Sequence, residues 1–160
     1  MAKQIGYAVV GLGDIARAVL AAFAHAGETS RLVAVCAADR VRAQAIAHEY
    51  RAPAYHHNEF RQCVQREDVN AVFLTSPASM HAEFAVEAAR AGVHVLCDKP
   101  MAVMADECRR MIRTSQSNRV KLMVTYRLGF HPAHARAIEL VRSGVIGTPK
   151  TISSDYTIRI

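Results

Sequence analysis

The chain has 160 residues, a formal net charge of +6 and 51% hydrophobic side chains, which suits one domain, or one domain and a fragment of another, with a sizeable core. Its basic residues are dispersed, no run exceeds the pair Arg109-Arg110, and aromatic residues do not alternate with them, so the charge does not predict a nucleic-acid partner. A positive field of this size is compatible with a small phosphate-bearing ligand.

The four cysteines lie at positions 36, 63, 97 and 108, and none forms a C-x-x-C motif, which excludes a zinc knuckle and a thioredoxin-type motif. We expect reduced thiols in a cytoplasmic protein, with Cys36 and Cys97 filling the core. The first residues lead straight into a strand pattern, and the charged Asp14 and Arg17 interrupt the next apolar stretch. The sequence therefore predicts no signal peptide and no membrane span.

Apolar runs of strand length alternate with helical patterns along most of the chain. The predicted strands are Ile5–Val10, Arg31–Ala38, a short one near Ala54-Tyr55, Asn70–Thr75, Val93–Cys97 and Lys121–Thr125. The predicted helices are Ile15–Ala26, Val41–Tyr50, a helix opened by Asn58 as N-cap, Met80–Ala91 and Asp106–Asn118. Because strands that are apolar on both faces must be covered on both faces, the pattern predicts an α/β fold, a Rossmann doubly wound parallel sheet.

Two of the predicted helices show a clear apolar face. The spacing in the first places the following residues together: Ile15, Val19, Ala22, Phe23 and Ala26. Gly27 is predicted as the C-cap of that helix. In the second helix, Ala43, Ile46 and Ala47 are predicted to share one face.

The end of the chain follows a different pattern. His131–Ser143 is predicted to be a helix, and Lys150–Ile160 begins a strand with partial alternation. We assign residues 1–124 to the Rossmann domain and residues 125–160 to the beginning of a second α/β domain. Because the chain stops inside what looks like the first strand of a second sheet, we expect it to be truncated relative to its relatives.

The segment Gly11-Leu12-Gly13-Asp14-Ile15-Ala16 matches the G-x-G-x-x-[G/A] pattern between a predicted strand and a predicted helix. Gly11 suits a tight turn, Gly13 lets the backbone approach a pyrophosphate, and Ala16 allows close packing of the helix on the strand. The helix N-terminus at Asp14 and Ile15 offers N–H groups to an anion. The motif predicts a dinucleotide site, although a glycine turn without a ligand is the simpler alternative.

An acidic residue, Asp39, ends the second predicted strand, where its carboxylate would accept hydrogen bonds from the hydroxyls of an adenosine ribose. Its charge repels a 2′-phosphate and favours NAD. Arg40 and Arg42 favour NADP, because an arginine near that site can pair with the phosphate. We expect NAD, and NADP stays open; the alternative for all three residues is a solvated helix start.

Two more motifs follow later strands: Thr75-Ser76-Pro77, with His81 in the next helix, and Asp98-Lys99-Pro100. The carboxyl ends of parallel strands converge on one crevice, so these segments are predicted to lie beside the ligand. With the glycine motif and Asp39, they resemble the Gfo/Idh/MocA oxidoreductases, which include glucose–fructose oxidoreductase and inositol dehydrogenase. The resemblance runs from Ile5 to the end, and includes the segments GVHVLCDKPMA (92–102) and TYRLGFHP (125–132).

The resemblance implies specific roles for residues of these segments. Lys99 would lie near the nicotinamide as a buried ammonium that orients a substrate hydroxyl or takes its proton, and the Lys99-Pro100 bond is often cis in the family. Asp98 stands where the family usually has Glu. Tyr126 and Arg127 match a segment that lines the crevice in sugar-acting relatives; packing of a linker is the alternative.

Other polar residues are given smaller roles. Thr75 and Asp98 are predicted to contact the cofactor, and Pro77 to support the nicotinamide ring. His81 is also placed beside the cofactor, where it more plausibly caps or packs its helix than acts as a base. His131 and His134 have H-x-x-H spacing without further ligands, so no metal site is predicted, and His56-His57 is interpreted as a polar turn.

The family reaction is hydride transfer between a nicotinamide cofactor and a sugar, cyclitol or related polyol. In the family a second domain supplies most of the substrate pocket, including an Asp and a His that this chain ends before reaching. We therefore expect the chain to bind NAD(P) and to turn over polyols poorly or not at all. The alternatives are a non-catalytic NAD(P)-binding module and, least favoured, a nucleic-acid binder; pairing into a homo-oligomer stays open.

Overall fold

The structure is a computed structural model that describes residues 4–153 and residue 155. The chain divides into two compact units, Met1–Thr125 and Tyr126–Ile160. In the described residues no helix is both long enough and apolar enough to cross a membrane.

The first unit alternates strands and helices. Its strands are β1 Ile5–Val10, β2 Ser30–Ala37, β3 Ala54–His56, β4 Ala71–Leu74, β5 His94–Asp98 and β6 Leu122–Thr125. Its helices are α1 Asp14–His25, α2 Arg40–Tyr50, α3 Phe60–Val64, α4 Ala78–Arg90 and α5 Ala105–Ser117, with a 3₁₀ turn at His57–Glu59.

The six strands form one sheet in the order β3-β2-β1-β4-β5-β6, and every pairing is parallel. Val10 at the end of β1 lies opposite Cys36 of β2 and Leu74 of β4. This strand order confirms the predicted doubly wound Rossmann fold. The order reverses between β1 and β4, and in such sheets ligands bind outside the carboxyl ends of the strands at that reversal.

Helices cover both faces of the sheet with separate apolar layers. On one face Ala16 and Leu20 of α1 and Ala43 of α2 pack on Val9. The other face carries the larger layer, which includes Phe60 and Cys63 of α3, Phe84 and Ala88 of α4, and Met111 of α5. Strand residues such as Val72 and Val35 are completely buried, because side chains on both faces of each central strand meet a helix.

Three local predictions were wrong in detail. Of the predicted apolar face of α1, Val19 and Phe23 pack against the core but Ala22 is exposed, and the helix also buries Leu20. The C-cap of α1 is Ala26, with φ −95°, so Gly27 is not the left-handed cap.

The predicted N-cap role of Asn58 is taken by another residue. The side chain of His56 caps the 3₁₀ turn, and the His56 Nδ1 accepts a hydrogen bond from the backbone N–H of Asn58 at 3.2 Å.

The second unit contains a 3₁₀ turn at Arg127–Phe130 and helix α6 at Pro132–Arg142. The side chain of His131 caps α6 by accepting a hydrogen bond from Ala133 N at 3.3 Å. Of the predicted strand at 150–160, residues 150–153 and 155 are not in a strand, and the others lie outside the described residues.

Candidate nucleotide-binding site

A cleft of about 410 Å³ opens at the carboxyl edge of the sheet, where the strand order reverses. Residues that follow four different strands line it: Gly11, Leu12 and Gly13 after β1; Ala37, Ala38, Asp39 and Arg42 around the end of β2; His57 after β3; and Thr75, Ser76 and Pro77 after β4. The topology therefore gathers the predicted glycine motif, Asp39 and the Thr-Ser-Pro segment in one place.

The turn after β1 is held against the end of β4. Gly11 has a φ of +91°, and a Cβ at this position would lie 2.4 Å from the backbone N of Ser76. Thr75 Oγ1 donates a hydrogen bond to the carbonyl of Gly11 at 2.7 Å, and Gly11 N donates to the carbonyl of Cys36 at 2.8 Å. Only glycine combines that dihedral angle with so close an approach.

The start of α1 is open toward the cleft. Gly13 is its N-cap and offers no side-chain hydrogen bond, and a Cβ at Gly13 would meet no atom within 4 Å. The first N–H groups of a helix have no intrahelical partner, and they carry partial positive charge. Ile15 is half-buried and Ala16 is fully buried against the sheet, while the side chain of Asp14 lies outside the described part of the chain.

Asp39 and two arginines occupy the end of β2. Asp39 Oδ1 accepts a hydrogen bond from Arg42 N at 3.0 Å and thereby caps α2, which leaves the second carboxylate oxygen for other partners. Arg42 lines the cleft with Asp39. Arg40 instead pairs with Glu59, with 3.1 Å between its Nη2 and Oε1. Arg40 and Arg42, which were given the same predicted role, are therefore in different environments.

Two cleft residues carry buried polar atoms without a hydrogen-bond partner, His57 Nε2 and Ser76 Oγ. The sequence analysis missed His57, since it interpreted His56-His57 as a polar turn; it placed Ser76 beside the ligand within the Thr-Ser-Pro segment but gave it no separate role. The available signal was position: His57 follows β3 directly, and the carboxyl ends of parallel strands share one edge.

His81 of α4 is 2% exposed and joins the loops that follow β4 and β5. Its Nε2 is 2.8 Å from the carbonyl oxygen of Ser76, and its Nδ1 is 3.0 Å from that of Pro100 and 3.2 Å from Cys97 Sγ. Burial raises the pKa of the Cys97 thiol to about 12, with Asp98 as the next cause, so this group is a neutral thiol. The geometry gives His81 a supporting position beneath the crevice.

The segment after β5 stands at the same edge of the sheet. Asp98 is 9% exposed, and its Oδ1 accepts a hydrogen bond from Thr125 Oγ1 at 2.8 Å. The Lys99-Pro100 peptide bond is cis. Lys99, which the resemblance implies as a buried ammonium in the complete site, lies just beyond the strand, and its side chain is exposed in this structure. Neither Asp98 nor Lys99 lines the 410 Å³ cleft.

Tyr126 and Arg127 belong to the second unit. Tyr126 is its first residue, and Arg127 begins the 3₁₀ turn of that unit. The side chain of Arg127 lies outside the described part of the chain.

A larger cavity, of about 920 Å³, lies at the opposite, amino-terminal edge of the sheet, near Asn70 and His94. The C-terminal ends of helices α3 and α4 lie there, and four arginines, Arg61, Arg66, Arg90 and Arg110, line the cavity with Glu83 and Glu87. Among the described residues no cluster of three or more His, Cys, Asp and Glu could hold a metal ion. The four cysteines are free thiols.

The carboxyl-edge cleft fits a dinucleotide in three ways. The backbone at Gly13 is open to close approach, the N-terminus of α1 has no side-chain cap, and Asp39 stands at the end of β2. These groups suit a pyrophosphate and a ribose side by side. The unpartnered atoms of His57 and Ser76 leave hydrogen-bonding capacity on the cleft-lining residues.

This fold and cleft define a nucleotide-binding Rossmann domain. The model of the Gfo/Idh/MocA oxidoreductase family, NAD-binding Rossmann fold, matches residues 5–126. The chain therefore belongs to this family, and the predicted resemblance is confirmed.

Two curated relatives illustrate the similarity. The chain is 35% identical over 145 residues to 2,7-anhydro-N-acetylneuraminate hydratase of Mediterraneibacter gnavus, which covers 91% of this chain and 37% of the relative. It is 31% identical over 142 residues to inositol 2-dehydrogenase of Salmonella paratyphi B, which covers 88% of this chain and 42% of the relative. The chain thus spans less than half the length of these proteins.

Solved structures agree in fold. Aldose-aldose oxidoreductase from Caulobacter crescentus, complexed with glycerol, has a TM-score of 0.86 and 36% identity. The WlbA dehydrogenase from Bordetella pertussis, in complex with NADH and UDP-GlcNAcA, has a TM-score of 0.84 and 25% identity. The 3-ketoreductase KijD10 (Y186F mutant) from Actinomadura kijaniata, in complex with TDP-benzene and NADP, has a TM-score of 0.80 and 28% identity. Each match covers 91% of this chain and 44% of the other.

Proposed function

We propose that this chain is the nucleotide-binding part of an oxidoreductase that transfers hydride between NAD(P) and a sugar, cyclitol or related polyol. The observation that carries the proposal is the cleft at the reversal between β1 and β4, lined by the glycine turn, by Asp39 and by Thr75-Ser76-Pro77. Relatives named as an inositol dehydrogenase and an aldose oxidoreductase support the substrate class.

Different residues of the cleft are proposed to bind different parts of the dinucleotide. The pyrophosphate lies on the N-terminus of α1, where the backbone of Gly13, Asp14 and Ile15 offers N–H groups and Ala16 holds the helix on the sheet. Asp39 binds the adenosine ribose with the carboxylate oxygen that does not cap α2. Thr75 holds the turn through its bond to the Gly11 carbonyl, and Pro77 supports the nicotinamide ring.

The cofactor supplies the hydride chemistry, and the chain positions its partners. Lys99 lies one residue beyond β5, and its exposed ammonium orients the hydroxyl that is oxidised. Asp98 stays fixed by Thr125, and His81 holds the neighbouring loop through the Pro100 carbonyl. We propose that Tyr126 and Arg127 contact the substrate, and this role is taken from the family resemblance alone.

NAD is the proposed cofactor. Asp39 lies in the cleft and repels a 2′-phosphate, while Arg40 is engaged by Glu59 and does not line the cleft. Arg42 does line it and would favour NADP. Neighbouring structures hold NADH in one case and NADP in another, so both cofactors belong in the test.

A second candidate is a nucleotide-binding module without catalysis. The observation that favours it is that Lys99, the proposed catalytic residue, does not line the nucleotide cleft. This candidate shares the nucleotide cleft and differs only in turnover.

The test is titration of the purified chain with NADH and with NADPH, followed by nicotinamide fluorescence, with Gly13→Val as control. We expect saturable binding of wild type, tighter for NADH, and loss of binding in the variant, whose added side chain enters open space at the cleft. No binding by a folded wild type would overturn the proposal. Polyol-dependent NADH formation then separates the enzyme from the module.

A further inference from the structure

His57 occupies a defined place along the proposed path of the dinucleotide. In the sheet order β3-β2-β1-β4, the glycine turn follows β1, Asp39 follows β2, and His57 follows β3. A pyrophosphate at the turn and a ribose at Asp39 place the adenine base on the same side of the cleft as His57. The nicotinamide would lie in the other direction, toward β4 and β5.

The imidazole of His57 has unused hydrogen-bonding capacity. In the described part of the chain three buried side-chain N or O atoms have no partner: His57 Nε2, Ser76 Oγ and Ser115 Oγ. The first two belong to residues that line the cleft, and Ser115 lies in α5. Buried polar groups in native proteins almost always have a partner, so two such atoms on residues that line one cleft point to a ligand that provides it.

The ring is also held in position. It packs edge-on against Phe84, with 5.1 Å between ring centroids, and Phe84 packs against Phe60 at 4.7 Å. The turn that carries it is fixed at both ends, since His56 caps it and Glu59 Oε2 accepts from His56 N at 2.7 Å. Burial, and next the neighbouring His56, lower the pKa of His57, which favours a neutral imidazole with one donor and one acceptor nitrogen.

We propose that His57 is a binding determinant for the purine base of the cofactor, with Nε2 hydrogen-bonding an edge of the adenine. The inference rests on the proposed function. An adenine edge carries both an amino donor and ring-nitrogen acceptors, so either tautomer of the imidazole finds a complement. Asp39 therefore selects the ribose and His57 the base, and the two residues act from neighbouring strands.

The test compares wild type with His57→Phe, His57→Gln and the control His48→Phe, using 5′-AMP and nicotinamide mononucleotide as half-cofactor probes. His48 is exposed on α2 and outside the cleft. We expect His57→Phe, which keeps a ring against Phe84, to weaken AMP binding about tenfold and to leave nicotinamide mononucleotide unchanged. His57→Gln, with a polar atom near the position of Nε2, should recover most of the affinity. The control should match wild type.

Equal AMP affinity of wild type and a folded His57→Phe would overturn the inference, as would equal weakening of both probes. If His57→Phe does not fold, ¹⁵N-histidine spectra of wild type decide: AMP must shift the His57 Nε2 resonance, and an unchanged resonance at saturation contradicts the inference. Failure of wild type to bind NADH contradicts the proposed function itself. Normal NADH binding with an inert His57 contradicts only the role of this residue.

Discussion

The ring of His81 lies 3.0 Å, from Nδ1 to oxygen, from the carbonyl of Pro100, and this contact joins helix α4 to the loop after β5. The same ring meets the carbonyl of Ser76 at 2.8 Å, in the loop after β4. One buried side chain thus bridges both loops on the nicotinamide side of the proposed site. His81 can in this way set the position of the loops after β4 and β5, which carry residues proposed to bind the cofactor and the substrate.

We expect His81→Phe to lower the free energy of unfolding by about 2 kcal/mol, because it removes the imidazole N–H that one of the two facing carbonyl oxygens accepts, while keeping an aromatic ring in the core. Urea denaturation measures this, with the exposed His48→Phe as control, for which we expect a change below about 0.5 kcal/mol. Equal stability of the two variants would show that the His81 contacts do not hold the loops.

Gly11 and Gly13 should respond differently to a single added methyl group. Gly11→Ala places a Cβ 2.4 Å from Ser76 N at a φ of +91°, so we expect it to cost at least about 2 kcal/mol of stability. Gly13→Ala meets no atom within 4 Å and should cost less than about 1 kcal/mol, as an N-cap change. Thermal or urea unfolding gives both values.

Nucleotide affinity provides a second measurement for the Gly13→Ala variant. Gly13→Ala should raise the Kd for NADH at least about tenfold while the protein stays folded, since the methyl group occupies the approach to the pyrophosphate. Unchanged affinity in Gly13→Ala would place the phosphates somewhere other than the start of α1.

Asp39→Ser tests cofactor choice without removing the cap of α2, because serine is also a good N-cap. The carboxylate repels a 2′-phosphate, so we expect the ratio of NADPH to NADH affinity to rise about tenfold in this variant. Fluorescence titration with both cofactors measures the ratio.

Two arginine variants serve as matched controls for that experiment. Arg42→Ala should weaken NADPH more than NADH, since Arg42 lines the cleft. Arg40→Ala should leave both unchanged, because Arg40 pairs with Glu59 and does not line it. The reverse pattern would mean that the ion pair opens when the cofactor binds.

The pair Arg66–Asp68 should make the fold sensitive to acid. The side-chain hydrogen bond from Arg66 is the main cause that lowers the pKa of Asp68 from its ordinary value of 3.8. A carboxyl whose pKa is lower in the folded state adds stability that is present above its unfolded pKa and is lost as pH falls through its folded pKa. We expect stability to fall below about pH 4, and Asp68→Asn to flatten that part of the profile.

Urea denaturation at pH 7 and at several values below pH 4 gives the profile. Asp106→Asn is the control, since its ion pair with Arg109 on α5 is exposed and exposed pairs contribute little. If the stability of Asp68→Asn depends on pH in the same way as that of wild type, the Arg66–Asp68 pair does not cause the acid sensitivity.

Much of the fold could be predicted from the sequence, because strand and helix patterns alternate with different periods. Five of the six strands extend over at least four residues, and their apolar runs marked them within one or two residues at each end. The motif at 11–16 and its position between a strand and a helix indicated where β1 turns into α1. The family motifs then placed the crevice, and the strand order confirmed it.

The rest depended on contacts between segments far apart in sequence. Nothing near His57 shows that β3 pairs with β2 and brings this residue to the cleft, and nothing near His81 shows that it reaches Pro100. The apolar face of α1 was predicted in part. Val19 and Phe23 pack against the core and Ala16 lies close to the sheet as expected, but Ala22 is exposed, because periodicity alone does not show how the helix is rotated against the sheet.

Binding of the cofactor at the carboxyl edge between β1 and β4 can be tested residue by residue with a ¹H–¹⁵N spectrum of the labelled chain titrated with NADH. We expect the largest amide shifts at Leu12, Gly13 and Ile15, with further shifts at Asp39 and Ser76. Shifts confined to the cavity around Asn70 and His94, or no shifts at saturating NADH, would contradict it.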